Sequence, residues 1–146
     1  MKLVLASDHG GINLRKEIAN LLDELGYEYE DMGCDCSDSV DYPDFAFPAA
    51  EKVANGEVDK GILICGTGIG MSISANKVKG IRCALVHDVY SARLTAEHND
   101  SNILAMGERV IGPGLATEIV KAWLGASYQG GRHARRVSKI SEYENQ

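Results

Sequence analysis

The chain is 146 residues long, 45% apolar and 25% charged, with a formal net charge of −6. That length suits one domain (residues 1–146) with a full core, and the acidity argues against nucleic acid as a partner. No apolar run approaches the roughly 20 residues of a membrane span.

Residues 2–7 are apolar, but the run is too short for a leader and meets Asp8 and His9. It reads as a first strand, and the chain is expected in the cytoplasm. Ser7-Asp8-His9-Gly10-Gly11 follows as a loop. Ile12, Ile18, Leu21, Leu22 and Leu25 recur near helical spacing until Gly26 stops the helix. Tyr27 to Asp31 alternates as a second strand, and residues 33–41 read as loop. Tyr42-Pro43-Asp44 opens a second helix that runs to about Asn55-Gly56, with Pro43 in the first turn, where it lacks no bond. Residues 61–65 make a third strand, and a glycine loop leads into a short helix ending near Lys79-Gly80. Residues 81–86 are a fourth strand, followed by a helix over Val89 to Glu97 with Asp88 as N-cap. Ile103 to Met106 is a fifth strand and residues 113–125 a fifth helix. Residues 132–143 form a sixth helix with no following strand, a candidate contact with a second copy of the chain. Strands alternating with helices imply an α/β fold: a five-stranded parallel sheet with helices on both faces and ligands at the carboxyl ends of the strands.

The four cysteines, Cys34, Cys36, Cys65 and Cys83, are expected as free thiols in such a chain. Cys34-x-Cys36 fits neither a zinc knuckle nor a C-x-x-C redox pair and reads as loop, while Cys83 reads as a small core residue. Cys65 is different. It ends the third strand and is followed by Gly66-Thr67-Gly68-Ile69-Gly70 and then a helix. Backbone N–H groups gathered at a helix N-terminus bind an anion and favour a thiolate. The spacing is neither that of a P-loop nor that of a dinucleotide fingerprint.

Three further groups carry chemistry. Asp8 and His9 end the first strand, where they can position hydroxyls or take a proton, or where Asp8 can simply cap the next turn. His98 lies among Glu97, Asn99 and Asp100 and has a free pKa near neutrality. Arg109 follows the fifth strand; Arg132 and Arg136 share a helical face at i, i+4 and can clamp a phosphate, whereas Arg135 points elsewhere.

Taken together, Ser7-Asp8-His9-Gly10-Gly11, Asp41-Tyr42-Pro43, the run from Gly61 to Gly70, Ala75-Asn76-Lys77, His98-Asn99-Asp100 and Gly130-Gly131-Arg132-His133 closely resemble the ribose-5-phosphate isomerase B family, which includes the galactose-6-phosphate isomerase subunits. The likeness runs from residue 2 to about 143. It implies a Rossmann-like three-layer sandwich and an aldose–ketose isomerase of the pentose phosphate pathway, working on ribose 5-phosphate without metal or organic cofactor. By this resemblance Cys65 is the base between C2 and C1, with Thr67 beside it, and His98 helps to open the furanose ring. Asp8 and His9 contact sugar or phosphate, Gly66, Thr67, Gly68, Ile69 and Gly70 form the anion hole, and Asn99 lies by the reacting end. Arg109, Arg132 and Arg136 hold the phosphate. Some relatives carry a glutamate base one residue after the third loop glycine; Met71 stands there, which leaves Cys65. The family forms dimers with shared active sites, which implies a homodimer here and leaves pairing into a tetramer open.

A hexose 6-phosphate of the allose or galactose type is the alternative substrate, because one more carbon needs only a slightly longer pocket. A nucleotide or flavin module is disfavoured by the missing fingerprint. A thiol redox protein is disfavoured by the lack of a resolving cysteine near Cys65.

Overall fold

The computed structural model describes residues 1–146. Its strands are β1 (Lys2–Ser7), β2 (Glu28–Asp31), β3 (Lys60–Cys65), β4 (Cys83–Leu85) and β5 (Ile103–Gly107). All pair in parallel, in the order β2-β1-β3-β5-β4. The helices are α1 (Ile12–Leu25), α2 (Pro43–Ala54), α3 (Ile69–Ala75), α4 (Val89–Asn99), α5 (Pro113–Gly125) and α6 (Arg132–Glu144). No helix is long and apolar enough to cross a membrane.

Successive strand residues face opposite sides, so each strand feeds two cores. Leu3, Leu5, Ile62, Ile64, Leu104 and Met106 pack under α1, α4 and α5. Val4, Ala6, Leu63, Cys65, Ile103 and Ala105 pack under α2 and α3. The result is the Rossmann-like three-layer sandwich that the sequence predicts. Near the amino ends of β3 and β5, Trp123 of α5 is fully buried. Its Nε1 donates to Ser101 Oγ at 2.9 Å, and Lys60 Nζ lies 4.8 Å from the ring centroid.

Several boundaries differ from expectation. The predicted loop after β1 contains a 3₁₀ turn over His9–Gly11. α3 stops at Ala75 rather than near Lys79 because the Asn76 amide turns to the start of β4, donating to Cys83 O at 3.0 Å and accepting from Cys83 N–H at 2.8 Å. β4 keeps only three residues, since Arg82 N–H bonds the Asn102 side chain instead of a strand.

The expectation of four free thiols is corrected: Cys34 and Cys36, with Cα atoms 5.4 Å apart, are joined as a disulfide, while Cys65 and Cys83 are free. Cys83 is half-buried as a residue rather than fully in the core, yet burial of its thiol pushes the pKa up to about 12. Arg15, which the sequence does not single out, is 1% exposed and ties this loop to β1. Its Nη1 donates to Ser7 Oγ and to Cys34 O, both at 2.6 Å, and its head also meets Asp31 and Asp35.

α6 lies outside both cores and packs on α4, with His133 its only buried residue. Glu144 at its far end accepts from Gly80 N–H at 2.9 Å. Ile140 and Tyr143 between these anchors are left exposed.

Candidate active site

The chain leaves β1 toward β2 on one side and returns to β3 on the other, which opens a crevice between β1 and β3 at their carboxyl ends. Such a reversal is where parallel α/β sheets hold ligands. Asp8 follows β1 and Cys65 ends β3, so the register brings both to that crevice. They line a hollow of about 220 Å³ with His9, Gly10, Gly66, Thr67, Gly70 and Arg109. Tyr42 lines it too, its ring against Gly70. In the sequence Tyr42 reads as the opening of a helix and as a family marker, not as a site residue. Its position before Pro43, at the mouth of α2, was the available signal.

Cys65 is 5% exposed, and the Gly68 N–H donates to its Sγ at 3.1 Å. Gly68 can aim that N–H because it holds φ +77°, a left-handed conformation that a side chain resists, and because an added Cβ there would stand 2.7 Å from Met106 carbonyl carbon. Ile69 N–H donates to Thr67 Oγ1 at 3.3 Å, which leaves the hydroxyl proton of Thr67 free for a ligand. Asp8 Oδ1 accepts from Gly10 N–H at 2.8 Å, so the capping role and a place in the hollow coincide. His9 Nδ1 accepts from Val40 N–H at 3.1 Å, which puts the proton of the neutral ring on Nε2. The turn after β5 is pinned to the cysteine loop: Glu108 N–H donates to Cys65 O and Arg109 N–H to Gly66 O, each at 3.0 Å. Arg109 thereby lies over Gly66, where an added Cβ would stand 3.0 Å from its Nη1.

The other expected residues gather elsewhere. His98 and Asn99 end α4 and line a separate hollow of about 420 Å³ with Leu85 and Thr95, and Cys65 takes no part in it. His98 stacks on His133, and Arg132 and Arg136 flank His133 on α6, both exposed. Asp88 caps α4 as expected, accepting from Ser91 N–H at 2.7 Å, and that bond holds its carboxyl below the usual range. One chain therefore presents two half-sites: a thiol with backbone donors, and an imidazole with two guanidiniums. Leu85 links them in space, since an added Cβ on Gly68 would also stand 2.7 Å from Leu85 Cδ1.

A buried thiol with a backbone N–H on its sulfur and an adjacent guanidinium, set at the crevice of a doubly wound sheet, suit a small anionic ligand. The family described as Ribose/Galactose Isomerase matches residues 3–140. YwlF of Bacillus subtilis (strain 168), a candidate sugar phosphate isomerase, is 72% identical over 99% of this chain and 97% of its own length. The Clostridium thermocellum ribose-5-phosphate isomerase B structure is 58% identical, covers 99% of this chain and 98% of that one, and superposes with a TM-score of 0.97. The Mycoplasma genitalium ribose-5-phosphate isomerase B, solved with bound ribulose-5-phosphate, is 42% identical, covers 99% of this chain and 97% of that one, and has a TM-score of 0.95. This chain belongs to the ribose/galactose isomerase family, and it is an isomerase.

Proposed function

We propose that the protein interconverts ribose 5-phosphate and ribulose 5-phosphate through a cis-enediolate, with Cys65 as the base. The observation that carries this reading is the Gly68 N–H aimed at Cys65 Sγ inside a hollow that also holds Thr67 and Arg109. The relatives named as ribose-5-phosphate isomerase B, one of them holding ribulose-5-phosphate, support the choice of sugar.

The C2–H of an open aldose is a very weak acid. Cys65 as thiolate removes that proton, and the electron pair moves onto the C1 oxygen. The N–H groups of the 66–70 loop other than those of Gly68 and Ile69, which are bonded to Cys65 and Thr67, receive that charge together with the Thr67 hydroxyl; one such donor is worth about 3 kcal/mol in the transition state. The thiol returns its proton to C1, and a proton passes from the C2 oxygen to the C1 oxygen, which leaves the ketose. One sulfur serves both carbons because they are adjacent and the phosphate is clamped by arginine. His98 assists furanose opening by moving a proton between the ring oxygen and the C1 hydroxyl. Asp8, His9 and Asn99 orient the hydroxyls. No metal or organic cofactor takes part in this scheme.

The split into two half-sites supports a homodimer in which α4 and α6 of one copy complete the Cys65 hollow of the other. Ile69, Ile73, Leu85, Val89 and Tyr90 are exposed around the Cys65 loop and α4, apolar surface of the kind an obligate partner covers. A cytoplasmic setting, in which Cys65 stays reduced, fits this chemistry.

Purified protein given ribose 5-phosphate should form ribulose 5-phosphate, and prior thiol alkylation or Cys65→Ala should stop it. Turnover that survives Cys65→Ala would remove the thiol from the mechanism. Turnover of hexose 6-phosphates alone would change the sugar and keep the base.

A further inference from the structure

β4 ends at Leu85, two residues before the edge of its neighbour is finished. Ala105 turns its carbonyl toward β4, where Val86 N–H donates to it at 3.1 Å. Two residues on, the Gly107 N–H faces the same way and finds no strand carbonyl. His87 supplies the acceptor: its Nε2 receives the Gly107 N–H at 3.0 Å. An imidazole nitrogen can accept only when it carries no proton, so the neutral ring here has its proton on Nδ1.

Gly107 is the contact between β5 and the cysteine loop. An added Cβ there would stand 2.6 Å from the Cα and carbonyl carbon of Thr67 and 2.8 Å from Gly66 O. Gly107 also pairs with Cys65 in the sheet, and the next two residues donate to the Cys65 and Gly66 carbonyls. Whatever fixes the Gly107 peptide therefore fixes the backbone that carries the thiol and its donors.

We propose that His87 is a positioning residue for the reaction, its unprotonated Nε2 standing in for the missing strand carbonyl and holding the Gly107 peptide against Gly66 and Thr67. Protonation of His87 turns the acceptor into a donor, leaves the Gly107 N–H without a partner and loosens the turn that bears Arg109. The charged group that acts on it is Asp88 beside it in the chain; Glu108 and Arg109 follow Gly107 on the β5 turn, Glu108 bonded to Leu14 N–H, and Cys65 pairs with Gly107. Burial holds His87 below the ordinary histidine value, with the Asp88 carboxylate pulling partly the other way, so the accepting form prevails at neutral pH. The kinetic consequence rests on Cys65 being the base; the hydrogen bond does not.

The test compares wild type, His87→Gln and His87→Ala. Glutamine offers a carbonyl oxygen at the reach of Nε2 and does not titrate. With ribose 5-phosphate, His87→Gln should keep the wild-type kcat/KM at neutral pH and hold it further into acid. His87→Ala should lose roughly tenfold at neutral pH and converge on wild type in acid, with circular dichroism unchanged. Acid limbs of wild type and His87→Gln that superimpose, or full activity in His87→Ala, overturn the proposal. A second readout needs no turnover and no alanine variant: the Gly107 amide ¹⁵N shift in wild type should titrate together with the His87 ring and lie flat in His87→Gln. A Gly107 amide that is flat in wild type overturns the proposal even if the sugar or the base has been misassigned. An absence of turnover with a titrating Gly107 amide overturns only the assignment of sugar or base.

Discussion

The imidazoles of His98 and His133 stack face to face, their centroids 4.0 Å apart and their planes 11° from parallel. His133 is buried, and its Nε2 has no hydrogen-bond partner. Burial first, then the charges of His98, Arg132 and Arg136, hold its pKa below the ordinary histidine value. Two rings so close cannot both carry a proton cheaply.

This pair makes stability depend on pH. The folded pKa of His133 is depressed, so the unfolded chain binds more protons as the pH falls below the ordinary value, and stability falls with it. Urea midpoints measured at about pH 7.5 and about pH 5.5 should show the loss, and His133→Phe, which keeps a flat ring without a proton site, should show less of it. An identical pH dependence in the two proteins would mean that other groups carry the effect.

Replacing Cys65 by alanine should lower kcat by roughly a thousandfold, within the range of a lost general base, with little change in Tm. Calorimetric titration should still detect the sugar phosphate, because the clamp does not involve the sulfur. A fall in affinity matching the fall in rate would instead assign Cys65 to binding.

Gly68→Ala should damage both rate and fold. The new Cβ meets the Met106 carbonyl and Leu85, and the left-handed backbone resists it. A stability loss of about 1–3 kcal/mol by denaturant melting is expected, with a larger proportional fall in kcat than in KM, as the N–H leaves Cys65. Unchanged kcat in a folded Gly68→Ala protein would deny that N–H a part in the reaction.

Arg15 is held by Ser7, Cys34, Asp31 and Asp35, though the Asp35 side chain is 73% exposed. Arg15→Ala should therefore cost about 3 kcal/mol in chemical denaturation, because it empties a buried site and strands its acceptors. Asp35→Asn, at the wet end of the pair, should cost under about 1 kcal/mol. Equal costs would show that the outer carboxylate dominates.

Arg136→Ala should raise KM for ribose 5-phosphate roughly tenfold with kcat nearly kept, as one charge-assisted contact is lost. Arg135→Ala, which turns away from the Arg132–Arg136 face, should leave both constants within about twofold. Matching defects in the two variants would point to the general field of α6 rather than to a clamp.

All five strands and six helices were legible in the sequence, since most of them bury an apolar period and punctuators such as Gly26 and Pro43 mark where a helix stops or starts. The Asp8–Cys65 crevice was legible as well, because both residues sit where a strand stops. The end of α3 was not: it is decided by the Asn76 amide finding Cys83, a bond between side chain and backbone that no local pattern announces. Neither was the disulfide of Cys34 with Cys36, because the expectation rested on the compartment and the spacing rather than on the turn that brings the two together. The division of the expected residues into two hollows was hidden for a related reason. Periodicity places His98 on α4 and Arg136 on α6, but the relation of those helices to β3 is tertiary. His87 passed unnoticed because a histidine at a strand end looks exposed until the missing strand carbonyl is known.

Trp123 is the chain's only tryptophan, and it lies by Lys60, at the end of β3 opposite Cys65, a strand length of about 17 Å. Sealed from water and bonded to Ser101, it should emit at short wavelength and shift red only when the sheet itself opens. The protein thus carries a built-in fluorescent gauge of global unfolding that is deaf to events at the crevice. A spectral change on adding sugar phosphate would mean that occupancy is felt along the whole length of the strand.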